Sequence, residues 1–348
     1  MFCSAAILFS RASPCAEVRD FEGCQRHVSL QKAAARIVRA TLRFHSFREH
    51  VMSASIRACA AALLLGFTVC SARAAAAVAQ TTHFTSADGQ TELVGYLFLP
   101  AGAGPHPAIV LLHGRGGPYS SNVNAGCTLV APGHDSPCNA ATLSKRHEMW
   151  GEYWAAHGYV ALLVDSFGPR GRAHGYGRFT HGDPDRDAVD ERTVRPLDAE
   201  GALAWLVARA DVTPARVMLQ GWSNGGSTAL NVMYRQSTGT SAARPARFRA
   251  ALVFYPGCGR TALISQRYEA DAPTWVLLGS DDEEVSPTTC ANVLHEARGG
   301  PVDVRIYPGA THDFDDPGAA RQAVAGNRAA KDDAMARAAA LLDAAGDH

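Results

Sequence analysis

Ser223, Asp282 and His312 have the residue types and the chain order of a nucleophile, an orienting acid and a general base. A serine hydroxyl is a poor nucleophile at neutral pH. It reacts when an imidazole takes its proton and a carboxylate holds that imidazole in place. Ser223 lies in Gly221-Trp222-Ser223-Asn224-Gly225-Gly226, after the apolar run Val217-Met218-Leu219 and before a helix-like segment over 227–235. A serine at a sharp strand-to-helix turn presents its hydroxyl to the reaction, with the partial positive charge of the helix N-terminus beneath it. Asp282 follows an apolar strand at 274–278 and stands three residues after Gly279; that spacing favours it over its rivals Asp281, Glu283 and Glu284, which read as a solvated acidic loop. His312 follows the run 302–307, whereas its rival His295 falls inside a helical segment.

A tetrahedral intermediate also needs hydrogen-bond donors for its oxyanion. The backbone N–H of Asn224, the residue after the nucleophile, is one candidate. The second is the backbone N–H of Arg115, in His113-Gly114-Arg115-Gly116-Gly117 after the apolar strand 108–112. A loop over 166–187 contains Arg170, Arg172, Arg178, His174 and His181 and is expected to overhang the site. Arg170 or Arg115 could bind a substrate carboxylate, because a guanidinium fork matches one; the alternative is that these arginines pair with Asp183, Asp185 and Asp187 or face solvent. Trp222 is expected to wall the pocket, and Trp150, Trp154 and Trp205 to lie in the core. The spacing of His174 and His181 does not suggest a metal site, and no residue pattern calls for a cofactor.

The elements that must position these groups alternate between strand and helix from residue 80 onward. Apolar strands are read at 91–99, 108–112, 159–164, 217–220, 250–255, 274–278 and 302–307, and helices at 143–157, 188–210, 286–298 and 318–344. Pro196 is expected to kink or break the helix that holds it. Continuous apolar strands alternating with helices indicate an α/β fold with a mostly parallel sheet covered on both faces. The candidate groups lie at strand C-terminal ends, where such sheets place their reactive residues.

Upstream, Met52–Arg57 resembles a positive n-region, Ala58–Cys70 is apolar, and Ala72-Arg73-Ala74 fits a cleavage site. An apolar stretch of about 13 residues is too short to span a bilayer, which needs roughly 20. Residues 52–74 are therefore expected to be a signal peptide, 1–51 an extension preceding the true start at Met52, and 80–348 the folded domain. Of 33 basic and 33 acidic residues, ten and four precede residue 75, so the remainder is acidic by six. That balance argues against nucleic acid or an anionic membrane surface as partner once the signal is removed. Cys127, Cys138, Cys258 and Cys290 remain, and an even count in an exported protein suggests disulfides. The favoured pairing closes a short loop between Cys127 and Cys138 and joins two strand ends through Cys258 and Cys290.

The chain resembles the dienelactone hydrolase family of α/β-hydrolases. The motifs are Leu111–Gly117, Val164-Asp165-Ser166-Phe167-Gly168-Pro169-Arg170-Gly171, Gly221–Gly226, Tyr255-Pro256-Gly257-Cys258 and Tyr307–Phe314, spread across residues 84 to 342. The resemblance implies the α/β-hydrolase fold and hydrolysis of a small-molecule ester or lactone. The family's namesakes use a cysteine in the elbow; Ser223 stands there in this chain, which suits ester chemistry. A prolyl-oligopeptidase-like peptidase is the enzymatic alternative, although such enzymes carry a large extra domain for which this chain has no room. A binding protein that lost the chemistry is the other alternative.

Overall fold

The computed structural model describes residues 79–346, apart from Ala125 and His181. The expected extension, the signal peptide and His181 therefore lie outside the described residues.

Eight strands form one sheet in the order β1 (Gln80–Thr85), β2 (Glu92–Phe98), β4 (Val160–Asp165), β3 (His106–Leu112), β5 (Val212–Trp222), β6 (Ala251–Phe254), β8 (Thr274–Gly279) and β10 (Val302–Tyr307). The first two strands pair antiparallel with each other, and β2 pairs antiparallel with β4; from β4 to β10 every pairing is parallel. Two short strands, β7 (Glu269–Ala270) and β9 (Arg298–Gly299), make a separate parallel pair. The sheet is thus mostly parallel with helices on both faces, as the continuous apolar strands imply.

Successive residues of a strand point to opposite faces. Val110 and Leu112 of β3 therefore join an aliphatic cluster with Ala199 and Leu203 of α2 (Val194–Val207), Leu230 and Met233 of α3 (Asn224–Ser237) and Leu294 of α4 (Pro287–His295). Ile109 and Leu111 face the other way. They join an aromatic cluster with Trp150 and Trp154 of α1 (Lys145–Ala156), and with Ala334 and Leu342 of α6 (Ala325–Gly346). Trp205 packs, partly buried, against the aliphatic cluster.

Pro196 does not kink a helix. It is the third residue of α2, in the first turn, where backbone N–H groups have no intrahelical acceptor and proline is tolerated. The helix expected over 318–344 is divided into α5 (Ala319–Gln322) and α6. Both disulfides form: Cys127–Cys138, with Cα atoms 5.5 Å apart, and Cys258–Cys290, at 4.9 Å. The second ties the segment after β6 to helix α4 rather than joining two strand ends, because Cys290 lies inside that helix. Among the described residues, no helix is long and apolar enough to cross a membrane.

Candidate active site

Ser223 stands between β5 and α3 with φ +51° and ψ −114°, a left-handed conformation that costs a non-glycine residue energy. The surrounding chain passes too close for side chains. A Cβ on Gly221 would lie 2.2 Å from the Gly225 carbonyl oxygen, and one on Gly225 would lie 2.1 Å from that of Leu112. Both contacts are with backbone, so glycine is required at each. The bend leaves the serine 9 % exposed.

The Ser223 Oγ is 2.9 Å from His312 Nε2, and His312 Nδ1 is 2.8 Å from Asp282 Oδ2. With a carboxylate at Nδ1, that nitrogen carries the hydrogen and Nε2 is free to accept from the serine hydroxyl. The other carboxylate oxygen of Asp282 accepts the backbone N–H groups of Glu284 and Val285 at 2.8 and 2.9 Å. Burial pulls the His312 pKa down. The Asp282 hydrogen bond and the charges of Asp313, Asp282 and Glu284 outweigh it and raise the pKa above the ordinary value of 6.5.

Of the rival acids, Asp281 is exposed, as a solvated loop residue is expected to be, whereas the other two engage the histidine loop. Glu283 accepts the His312 backbone N–H at 3.0 Å, and Glu284 is nearly buried with Oε2 3.8 Å from His312 Nε2. The rival base His295 is exposed near the end of α4. His113 is buried against Phe167; its Nε2 accepts the Ser166 N–H at 3.3 Å, and burial followed by the Arg195 charge pulls its pKa well down, so it stays neutral.

The backbone of the glycine-rich loop lies against Ser223: a Cβ on Gly114 would come within 3.5 Å of the Ser223 Cβ. Arg115 follows directly, and Asn224 opens α3. A buried guanidinium links these two segments. Arg195 donates to the His113 carbonyl at 2.8 Å and to the Asn224 side-chain oxygen, while the Asn224 amide donates to Glu191 at 2.6 Å.

Two expectations fail. Arg170 cannot take a substrate carboxylate, because it makes a fork with buried Asp198 at 2.8 and 2.9 Å and also bonds the Ser166 carbonyl. A buried carboxylate needs a paired cation, and Asp198 claims this one. Arg115 is likewise occupied, by both Glu284 oxygens at 3.0 Å. Trp222 is not a pocket wall. It is fully buried in the aromatic cluster and donates to Asp315 at 2.8 Å. Along β5, Met218 and Trp222 share one face, which is the signal that marks Trp222 as core.

The residues around Ser223 enclose a cavity of about 430 Å³. Sequence reasoning missed several of its members. Arg146 reaches Asp313 at 2.8 Å and Asp316 at 3.2 Å. Burial pushes the Asp313 pKa up, but the charges of Arg146 and His312 outweigh it and hold the carboxyl at about 2. The acids clustered after His312 are visible in the sequence; their arginine, far upstream, is not. Glu284, His312 and Asp313 also bring possible metal-ligand atoms within 4.8 Å of one another, although each already has a protein partner. Cys127, Cys138 and His174 form a second such group, in which the disulfide removes the thiolates.

The fold recurs in solved structures. A proposed dienelactone hydrolase of Klebsiella pneumoniae subsp. pneumoniae MGH 78578 superposes with a TM-score of 0.56 at 17% identity, over 77% of this chain and 99% of that one. The protein m3DLH gives 0.53 at 22% identity, over 78% and 99%. A dienelactone hydrolase-like promiscuous phosphotriesterase from metagenomic libraries gives 0.51 at 20% identity, over 77% and 98%. The model of the dienelactone hydrolase family matches residues 142–346, more than half of the sequence, and on that match the chain belongs to this family of ester-bond hydrolases.

Proposed function

We propose that this chain is an exported serine hydrolase that cleaves a carboxylic ester or lactone through an acyl-enzyme on Ser223. The observation that carries this reading is the relay from Asp282 to His312 to Ser223, at 2.8 and 2.9 Å, ending on a hydroxyl held in a strained turn.

In the first step His312 Nε2 takes the hydroxyl proton as Ser223 Oγ bonds to the substrate carbonyl carbon. The carbonyl electrons move onto oxygen, and the backbone N–H groups of Asn224 and Arg115 receive that charge. The C–O bond to the alcohol then breaks, and the imidazolium gives its proton to the departing oxygen. A water molecule, deprotonated by the same nitrogen, attacks the acyl-enzyme; the acid is released and Ser223 regains its proton. Asp282 keeps the imidazole in the required tautomer and stabilises its charged form.

A fluorophosphonate probe is expected to label Ser223, and Ser223→Ala to lower kcat by about 10⁶-fold, as nucleophile loss does in subtilisin. Hydrolysis of a p-nitrophenyl ester by Ser223→Ala near the wild-type rate overturns the reading. Export rests on two disulfides, which persist in oxidising compartments, and on the signal-like segment at 52–74. Sequencing the N-terminus of the native protein tests it: a peptide beginning just after Ala74 is expected, and one from before Met52 opposes it.

A further inference from the structure

The cavity beside Ser223 is rich in acceptors, and its cations are already matched. Arg115 is held by Glu284. Arg146 is surrounded by Asp313, Asp316 and, at 3.7 Å, Asp315. Among the described residues no unpaired guanidinium lines the cavity, so an anionic substrate would find no free counter-charge there and would meet carboxylates instead. Asp313 and Asp316 keep side-chain exposures of 28% and 35% and offer further lone pairs.

His147 adds an independent sign. Its Nδ1 is 2.9 Å from the Pro118 carbonyl, which can only accept, and 2.9 Å from the Ser144 hydroxyl, which can accept as well as donate, so a hydrogen on Nδ1 is the placement that suits both. Burial and then the Arg146 charge lower its pKa to about 4, which leaves the ring neutral. Its Nε2 is therefore a bare acceptor, and it has no hydrogen-bond partner although the ring is 3% exposed and lines the cavity. A buried acceptor needs a donor, and among the unpartnered buried side-chain atoms His147 Nε2 belongs to a ring that lines this cavity, where a bound molecule can supply one.

Building on the assignment of Ser223 as nucleophile, we propose that the alcohol portion of the substrate is hydroxyl-rich, a polyol or sugar ester, whose O–H groups donate to Asp313, Asp316 and His147. A hydroxyl is the donor that matches such a site without adding charge. An ester lacking hydroxyls leaves these acceptors without donors, and that loss discriminates between substrates.

The test uses acetates sharing one acyl group: ethyl acetate, glycerol monoacetate, a monoacetylated methyl xyloside, acetylcholine and O-acetylglycolate. The hydroxylated esters are expected to exceed ethyl acetate in kcat/KM by about tenfold or more, chiefly through KM, and O-acetylglycolate to fall below it. Asp316→Ala is expected to shrink the glycerol-to-ethyl ratio and to raise the glycolate-to-ethyl ratio, because Arg146 then lacks one carboxylate. His147→Phe, which keeps a ring against Trp222, should shrink the first ratio alone and serves if the aspartate variant misfolds. Equal or better use of ethyl acetate, or preference for the cationic or anionic ester, overturns the proposal while Ser223-dependent hydrolysis leaves the triad assignment standing. Failure to hydrolyse any of the acetates overturns the proposal, and fluorophosphonate labelling of Ser223 then decides the triad assignment separately.

Discussion

The two faces of the sheet are built from different materials. Below α2, α3 and α4 the core is mostly leucine, valine, alanine and methionine, with Phe84, Phe248, Tyr268 and the Cys258–Cys290 disulfide among them, and it depends chiefly on close fit. Below α1 and α6 it is largely aromatic, and it holds two buried carboxylates, Asp165, beside Tyr119, and Asp315. Asp315 accepts the indole N–H groups of Trp150 and Trp222, each at 2.8 Å, and the hydroxyl of Tyr255. Those donors come from α1, the end of β5 and the segment after β6. They converge three residues beyond His312, whose ring rests 4.7 Å from that of Tyr255. Both faces bury apolar area. The aromatic face also fixes a loop, because hydrogen bonds have direction and dispersion contacts do not.

Asp315→Ala is the largest break in that contrast. It leaves two indole N–H groups, a phenol and part of Arg146 without their acceptor, at about 1–3 kcal/mol for each stranded donor. Freed of its anchor, the His312 loop moves, and a displacement near 1 Å costs about 10²-fold in rate. Stability and kcat should therefore fall together, measured by denaturant unfolding and by turnover of a neutral ester at a temperature where the variant is folded. On the aliphatic face, Leu230→Ala should cost about 2–5 kcal/mol and leave kcat of the folded protein unchanged. If the leucine variant loses as much kcat as the aspartate variant, the faces do not differ as described.

Trp222→Phe sharpens the same comparison at smaller scale. The ring packing largely persists and a single donor to Asp315 disappears, so stability should fall by about 1–3 kcal/mol and kcat by much less than in Asp315→Ala. Chemical denaturation and initial rates on one ester suffice; a kcat loss equal to that of Asp315→Ala would place the tryptophan, not the carboxylate, at the centre of the anchor.

This asymmetry also explains what could be read from the sequence. Strand identity follows from short-range patterns, so the strands of the parallel part of the sheet and the elbow turn were legible, as was the α/β class they imply; the α/β-hydrolase fold was implied by the resemblance of the motifs. The chain order of Ser223, Asp282 and His312 was legible for the same reason: each sits at the end of an apolar run. Long-range pairing was not. Arg170 has several acids nearby in sequence, yet its partner is Asp198, across the fold on α2. Arg146 and Asp313 lie far apart in sequence and meet only because α1 packs beside the loop after β10. Edge strand β1 was missed: Gln80–Thr85 is largely polar and exposed and becomes a strand through its register with β2.

The smallest effect concerns the charge around the histidine loop. On the proposed triad His312 works as the neutral imidazole, so activity should fall as pH drops through its pKa, and the midpoint should lie above 6.5. The same shift makes protonated His312 favour folding: that contribution is complete below 6.5 and is lost as pH rises through the folded-state value. Glu284 is one source of the shift, with its carboxylate 3.8 Å from Nε2. Glu284→Gln removes the charge and keeps the shape, so the acid limb of kcat/KM against pH should move to lower pH. Glu284 also neutralises Arg115, and a neutral ester must be used so that the freed guanidinium does not alter substrate binding. A limb that stays in place would mean that Asp282 and Asp313 alone set the proton affinity of the base, and that Glu284 serves only to hold Arg115 and Arg178 over the cavity.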